Sequence, residues 1–201
     1  MVREPDARGR ASLDPNEMQP TLRTQRLLLR PRSLADTDAC LRMDREPEVT
    51  RFVSGPWSDP IAHRAFVEQR TRGPYPDGLG YWTLAPCDRP TEFVGWVLLI
   101  PLDATGPEIE IGWRLRPAFW RLGYATEAAS AVLQHGFDRL GLDEVLAEID
   151  VANIASISVA ERIGLRRRAS GTSEGREWVR YALARHETGP AAADAHHAQR
   201  R

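Results

Sequence analysis

The sequence predicts one α/β domain built on a mixed sheet. Two observations carry that expectation. Residues 108–151 read in succession as strand, turn, helix and strand, and shorter apolar or alternating runs on both sides of this core read as further strands. The length of 201 residues suits a single domain with a sizeable core, and no internal repeat divides it.

Each element has a local reason. Met1–Pro20 and Thr188–Arg201 are rich in Arg, Asp, Pro, Ala and His with no apolar period. Both read as loose tails around a domain at residues 21–187. Arg26–Pro31 is the first strand. Ser33 and Asp36 open the first helix as cap and first-turn acid. Asp59-Pro60-Ile61 opens the second, with proline where the first turn tolerates it. Tyr81–Ala85 and Phe93–Leu102 flank the turn Asp88-Arg89-Pro90 and read as a hairpin. In Glu108–Leu115, Ile109, Ile111, Trp113 and Leu115 face one way, and Glu108, Glu110, Gly112 and Arg114 the other. Ala125, Ala128, Ala129, Val132, Leu133, Phe137 and Leu140 recur at helical spacing, with Gly141 at the end. Val145–Val151 is a strand, Asn153 caps the fourth helix, and Leu165–Ala169 and Glu177–Ala184 close the sheet around a turn at Ser170–Gly175.

Composition excludes several chemistries. All 27 basic residues are arginine. Without lysine the chain has neither a Walker A loop nor a pyridoxal Schiff base. A net charge of −1 argues neither for nor against nucleic acid, and no nucleic-acid partner is expected. Cys40 and Cys87 form no CxxC pair and read as reduced thiols of an intracellular protein. No apolar run approaches a membrane span, and Met1–Pro20 lacks the apolar stretch of a secretory signal. The expectation is a cytoplasmic protein with no membrane partner. His196-His197 has no third ligand spaced to join it, so no metal is expected.

The most informative segment is Arg116–Ala128, which carries a strand into a helix through a bend at Gly123. A helix start offers unpaired N–H groups and a positive dipole end, a ready site for phosphate. Trp120-Arg121-Leu122-Gly123-Tyr124-Ala125 resembles the coenzyme A loop of the GNAT N-acetyltransferase superfamily, Gln/Arg-x-x-Gly-x-Gly/Ala. Tryptophan at its first position is similar to the branch of ribosomal-protein N-acetyltransferases, the RimJ/RimL-like group. Thr24–Pro31 resembles that branch's opening strand, and Asn153-Ile154-Ala155-Ser156 with Ala160–Leu165 its Asn-x-x-Ser helix. The likeness spans roughly residues 21–187. The branch usually has glycine where Arg121 stands, which puts a Cβ and a long cation beside the loop.

The resemblance implies a mixed α/β GNAT-like fold. Its sheet would be mostly antiparallel and six- to seven-stranded, with one splayed strand pair and about four flanking helices. It implies acetyl-CoA as cofactor and an amine-bearing acceptor, either a small molecule or a protein N-terminus. Trp113, Arg114 and Leu115 would pair with the pantetheine arm. Arg121, Leu122, Gly123, Tyr124, Ala125 and Thr126 would cradle the pyrophosphate, and Asn153 would reach the pantetheine. Plain readings stand beside these: Asn153 as a helix cap, Trp113 as a core aromatic, Arg121 as a solvated surface residue.

Acetyl transfer to an amine needs a proton acceptor for the ammonium and a proton for the departing thiolate. Glu110 is the chosen base and Glu108 the runner-up, each with the alternative of pairing with an arginine. Ser156 is the candidate acid by resemblance, with an ordinary helix-start role as the alternative, and Tyr181 is the backup. His63 and His135 read as surface or partly packed helix residues. The acceptor wall is expected from Met43–Trp57, the second helix and Ser170–Trp178, with Arg51, Phe52, Trp57 and Trp178 lining it. The chain is expected to be a monomer or homodimer. A non-catalytic acyl-CoA-binding module is the alternative function; it would keep the loop and dispense with the base. A Rossmann protein is disfavoured because residues 120–125 lack the three-glycine fingerprint.

Overall fold

The computed structural model describes residues 19–173 and 175–188. The proposed tails lie almost wholly outside these residues, as does His196-His197. Gln19 and Pro20, read as part of the first tail, are instead packed. Gln19 is buried with its amide donating to Tyr81 C=O (3.1 Å), and Pro20 C=O accepts from the Trp82 indole (2.7 Å).

The strands are β1 Leu22–Arg23, β2 Leu27–Pro31, β3 Gly80–Pro86, β4 Gly95–Pro101, β5 Ile109–Leu115, β6 Glu144–Asp150, β7 Arg166–Ser173 and β8 Arg176–Ala184. The helices are α1 Thr37–Asp44, α2 Pro47–Thr50, α3 Pro60–Arg72, α4 Tyr124–Asp138 and α5 Ile154–Arg162. All eight strands join one sheet in the order β1-β2-β3-β4-β5-β6-β8-β7, antiparallel throughout except at β5–β6. The count exceeds the expected six to seven because two-residue β1 pairs with β2. Four-residue α2 is likewise an addition, too short to leave a period in sequence.

Helix boundaries follow their caps. The Asp59 carboxylate accepts from Ile61 N–H (2.9 Å) and Ala62 N–H (3.1 Å), with Pro60 in the first turn. Asn153 caps α5 through Ser156 N–H (3.2 Å). Asp36 reaches back to Ser33 N–H (3.0 Å), but the turn it closes is a short 3-10 helix, and α1 starts only at Thr37. The hairpin after α5 turns later than the sequence suggests. Ser170–Ser173 continue β7, because Ser170 and Gly171 pair with Val179 and Trp178.

The sheet separates two cores. On one face Trp82, Leu84, Val97, Leu99, Ile111 and Leu115 pack under α4 and α5. On the other Tyr81, Trp96, Leu98 and Ile100 pack under α1 and α3 with Cys40, Leu41, Met43 and Val67. Because β3 and β4 are covered on both faces, they are buried at every residue. Cys40 and Cys87 are both free thiols. Among the described residues, no helix is long and apolar enough to cross a membrane.

Candidate active site

The site begins where two parallel strands part. β5 pairs with β4 along its whole length, from Ile109↔Pro101 to Leu115↔Gly95, but meets β6 only at Glu110↔Leu146. Main-chain groups alternate between the two edges of a strand. Arg116 N–H donates to Val94 C=O (2.9 Å) and Glu108 C=O accepts from Leu102 N–H (2.8 Å), so the even-numbered residues face β4. The main-chain groups of Ile111, Trp113 and Leu115 therefore point at the opening. Leu115 C=O there takes the Trp120 indole N–H (2.7 Å). Arg114 is a correction. Its main chain faces Trp96 in β4, and its side chain lies on the opposite side of the sheet from the loop.

The loop beyond β5 supplies donors. The first main-chain bond of α4 runs from Glu127 N–H to Gly123 C=O (3.0 Å). Among the described residues, the N–H groups of residues 121–126 have no partner, so they are available to an anion. Gly123 holds φ 80° and Arg121 φ 62°, both left-handed. Arg26, which the sequence did not single out, braces this loop from the start of β2. It donates to Leu122 C=O (2.9 Å), pairs with Glu127 (2.6 Å) and stacks on Tyr124 (4.8 Å). Thr126 and Ala125 form the first turn of α4, and Leu122 is exposed. Asn153 and Ser156 stand half-buried at the start of α5, the cap taking the main-chain N–H of the serine.

On the other side of the sheet a cavity of about 130 Å³ opens beside Glu110. Among the described residues, the Glu110 carboxylate makes no hydrogen bond or ion pair. Burial first, then the like charges of Asp103 and Glu148, push it up to about 7, while Arg70 pulls it down. Glu108 took the other course open to it: it is exposed and pairs with Arg180 (2.7 Å). Tyr181 is buried and its hydroxyl donates to Glu161 (3.1 Å).

The cavity wall comes from α1, α3, β3, β4 and β5, including Asp44, Phe66, Arg70, Tyr81 and Arg114. Asp44 and the second predicted helix contribute as expected. Arg51, Phe52, Trp57 and Trp178 do not line it. Arg51 stacks on Phe52 (5.1 Å), and Trp57 packs against His63, Phe66 and the Arg114 guanidinium. Trp178 lies in β8 opposite Asp150, carried away by the lengthened hairpin. Both histidines are buried, which corrects the surface reading. His63 Nε2 lies 3.1 Å from Asp44 Oδ2, and His135 Nε2 3.0 Å from Gly78 C=O. Asp44 thus joins His63 on α3 to Arg114 on β5 (2.8 Å). The sequence named the segments that carry Asp44 and Arg70 without singling these residues out, and it missed Asp103, because nothing local in sequence marks side chains that meet from separate elements.

Comparison with known proteins agrees with this fold. The acetyltransferase (GNAT) domain model matches residues 26–166. The FsC-acetyl coenzyme A-N(2)-transacetylase of Aspergillus fumigatus is 35% identical over 159 residues, 73% of this chain and 65% of that protein. The chain therefore spans just under two thirds of that relative. An acetyltransferase structure from Agrobacterium tumefaciens superposes with a TM-score of 0.68 at 30% identity, covering 82% of this chain and 94% of that one. The ribosomal L7/L12 alpha-N-protein acetyltransferase RimL, solved with coenzyme A, shares the fold at a TM-score of 0.64 and 17% identity, covering 80% and 95%. Fold and family model together define an acetyltransferase domain. The chain belongs to the GNAT acetyltransferase family.

Proposed function

We propose that this protein transfers acetyl from acetyl-CoA to a primary amine by direct attack in a ternary complex, with Glu110 as the base. The observation that carries the reading is the position of Glu110. It stands at the point where β5 and β6 part, lines the cavity, and has a carboxyl raised to about 7. A base poised near the working pH takes an ammonium proton without holding it too tightly. The word transacetylase and the nitrogen in the A. fumigatus relative's name support an amine acceptor.

The residues present fit the cofactor. The free N–H groups of residues 121–126 suit its pyrophosphate, with Gly123 leaving room for close approach. The open edge at Trp113 and Leu115 suits an extended amide-bearing arm. Acetyl-CoA would supply an acetyl thioester. In the proposed reaction a nitrogen–carbon bond forms and a carbon–sulfur bond breaks. The ammonium gives one proton to Glu110 before attack and a second afterwards, one of the two ends on the thiolate, and one net proton is released. The Ser156 hydroxyl, in the first turn of α5, is proposed to relay this proton, giving its own to the thiolate and regaining one from solvent, so that it ends unchanged.

The test is thiol release from acetyl-CoA against small amines and N-terminal peptides, with calorimetry of acetyl-CoA in parallel. Amine-dependent release that collapses in Glu110→Gln, at unchanged cofactor affinity, supports the reading. Tight acetyl-CoA binding with no release for any amine favours the non-catalytic binding module instead.

A further inference from the structure

The cavity beside Glu110 has a charge pattern that selects among amines. Three guanidinium groups line it, those of Arg32, Arg70 and Arg114. Two of them are already engaged in the fold. Arg114 is held by Asp44, whose second oxygen faces His63, and Arg32 lies buried over the Tyr81 ring (3.6 Å). Arg70 differs. It is half-buried on the cavity side of α3, with the Phe66 ring 5.4 Å beneath it. Among the described residues it has no carboxylate within ion-pair distance. Arg72, two positions on, shows the usual fate of an arginine on this helix: it turns outward to Glu68 (3.1 Å).

Glu110 and Asp103 supply the opposite charge to the same cavity. Among the described residues, one cavity therefore presents a cation with no carboxylate within ion-pair distance and two carboxyl groups with no ion pair of their own, Arg70 and Glu110 feeling each other only at longer range. Building on the acetyl-transfer reading, we infer that the acceptor is a small amino-carboxylate. Its ammonium is received between Glu110 and Asp103, and its carboxylate is received by Arg70. A planar guanidinium stacked on an aromatic ring is preorganised to take a carboxylate through two parallel N–H donors. A neutral amine would leave Arg70 desolvated and unmatched, and a polyamine would bring a second cation against it. A peptide or protein N-terminus carries an amide where a free amino acid carries its α-carboxylate, and so would leave Arg70 unmatched.

The test compares free α-amino acids with their amides as acceptors at saturating acetyl-CoA, in the parent, Arg70→Gln and Arg70→Lys. For the preferred amino acid, KM in the parent should lie roughly 10–100-fold below that of its amide, the range of a charge-assisted bond. Arg70→Gln should remove that preference through KM more than kcat, and Arg70→Lys should restore part of it. Calorimetric acetyl-CoA affinity checks that each variant is folded. Equal KM for acid and amide in the parent, or a preference that survives Arg70→Gln, overturns the inference. Acetylation of N-terminal peptides alone, with KM independent of Arg70, overturns it too. If no amine releases thiol, the acetyl-transfer reading fails separately, and thermal shift on the acetyl-CoA-bound protein decides the anion site. A shift given by amino acids, absent with amides and lost in Arg70→Gln, sustains it; no shift overturns it.

Discussion

The two faces of the sheet build their halves of the site from different materials. Under α4 and α5 the candidate cofactor side is made of main-chain groups: the open edge of β5 and the N–H groups of residues 121–126. Under α1 and α3 the candidate acceptor side is made of charged side chains: Asp44, Arg70, Arg114 and Glu110 around one cavity. Main-chain sites depend on backbone conformation and tolerate most side-chain exchanges. Side-chain sites depend on which charges meet, and a single exchange leaves a partner exposed or buried alone. The difference predicts where each half is fragile.

The largest effect is expected on the acceptor side. Glu110→Gln should cut turnover by roughly 10²–10⁴ near neutral pH and leave acetyl-CoA affinity nearly unchanged. The sign of the pH dependence follows from the raised carboxyl. Glu110 accepts a proton only when ionised, so the parental rate should climb as pH rises through about 7. Asp103→Asn removes a like charge and should move that climb to lower pH. The same shift costs the parent stability. The folded state holds its Glu110 proton up to about 7 while the unfolded chain releases it near 4.5, so stability falls across that window. Glu110→Gln should accordingly be more stable at pH 8 by about 1–3 kcal/mol. Loss of activity together with loss of stability at pH 8 would mean that the glutamate is structural. Glu108→Gln, exposed and paired with Arg180, should do much less.

The next effect tests whether the acceptor wall rests on its ion network. Asp44→Ala leaves half-buried Arg114 and buried His63 without their carboxylate. Removing one partner of such a network costs about 3–5 kcal/mol, readable in urea denaturation. A loss below about 1 kcal/mol would show that the two faces do not differ in this way.

What the sequence revealed divides along the same line. The conformation of the candidate cofactor half was legible because a strand, one glycine and a helix start are contiguous, and local geometry decides their conformation. The loop at residues 120–126 and the cap at Asn153 both fall where the spacing put them. Glu110 was legible through alternation, which fixed its face but not its neighbours. The rest of the acceptor half depends on long-range packing. Trp57 and Trp178 look like lining residues in sequence, yet one packs behind Arg114 and the other is carried off by a hairpin whose strands stay paired out to Ser173 and Arg176. His63 looks like a surface histidine until Asp44, 19 positions away in sequence, meets it. Arg70 carries no local signature at all.

On the cofactor side, Gly123→Val should weaken acetyl-CoA binding strongly while the fold survives. The left-handed conformation, φ 80°, costs a β-branched residue about 1–2 kcal/mol. The new Cβ would otherwise meet only the far end of the Arg26 side chain (3.3 Å), which can swing away. The loss should therefore appear in calorimetry more than in melting temperature. Parental affinity in a folded Gly123→Val would detach the loop from the cofactor.

The smallest effect discriminates best. Arg121 also sits in the left-handed region, at φ 62°, where a residue with a Cβ is strained. Arg121→Gly relieves roughly 1–2 kcal/mol of that strain and returns roughly 0.5–1 kcal/mol to the flexible unfolded chain, so a net gain of about 0.5–1 kcal/mol should remain. The exposed guanidinium is lost with it, but a solvent-screened charge contributes only about 0.2–1 kcal/mol to holding an anion. Acetyl-CoA affinity should thus change by less than about fivefold, measured by calorimetry at 0.15 M salt. If the variant is stabilised and still binds, the loop works through its N–H groups and the arginine is a tolerated passenger. If affinity falls by much more than tenfold, a side chain holds the phosphate after all, and the main-chain character assigned to this half of the site is wrong.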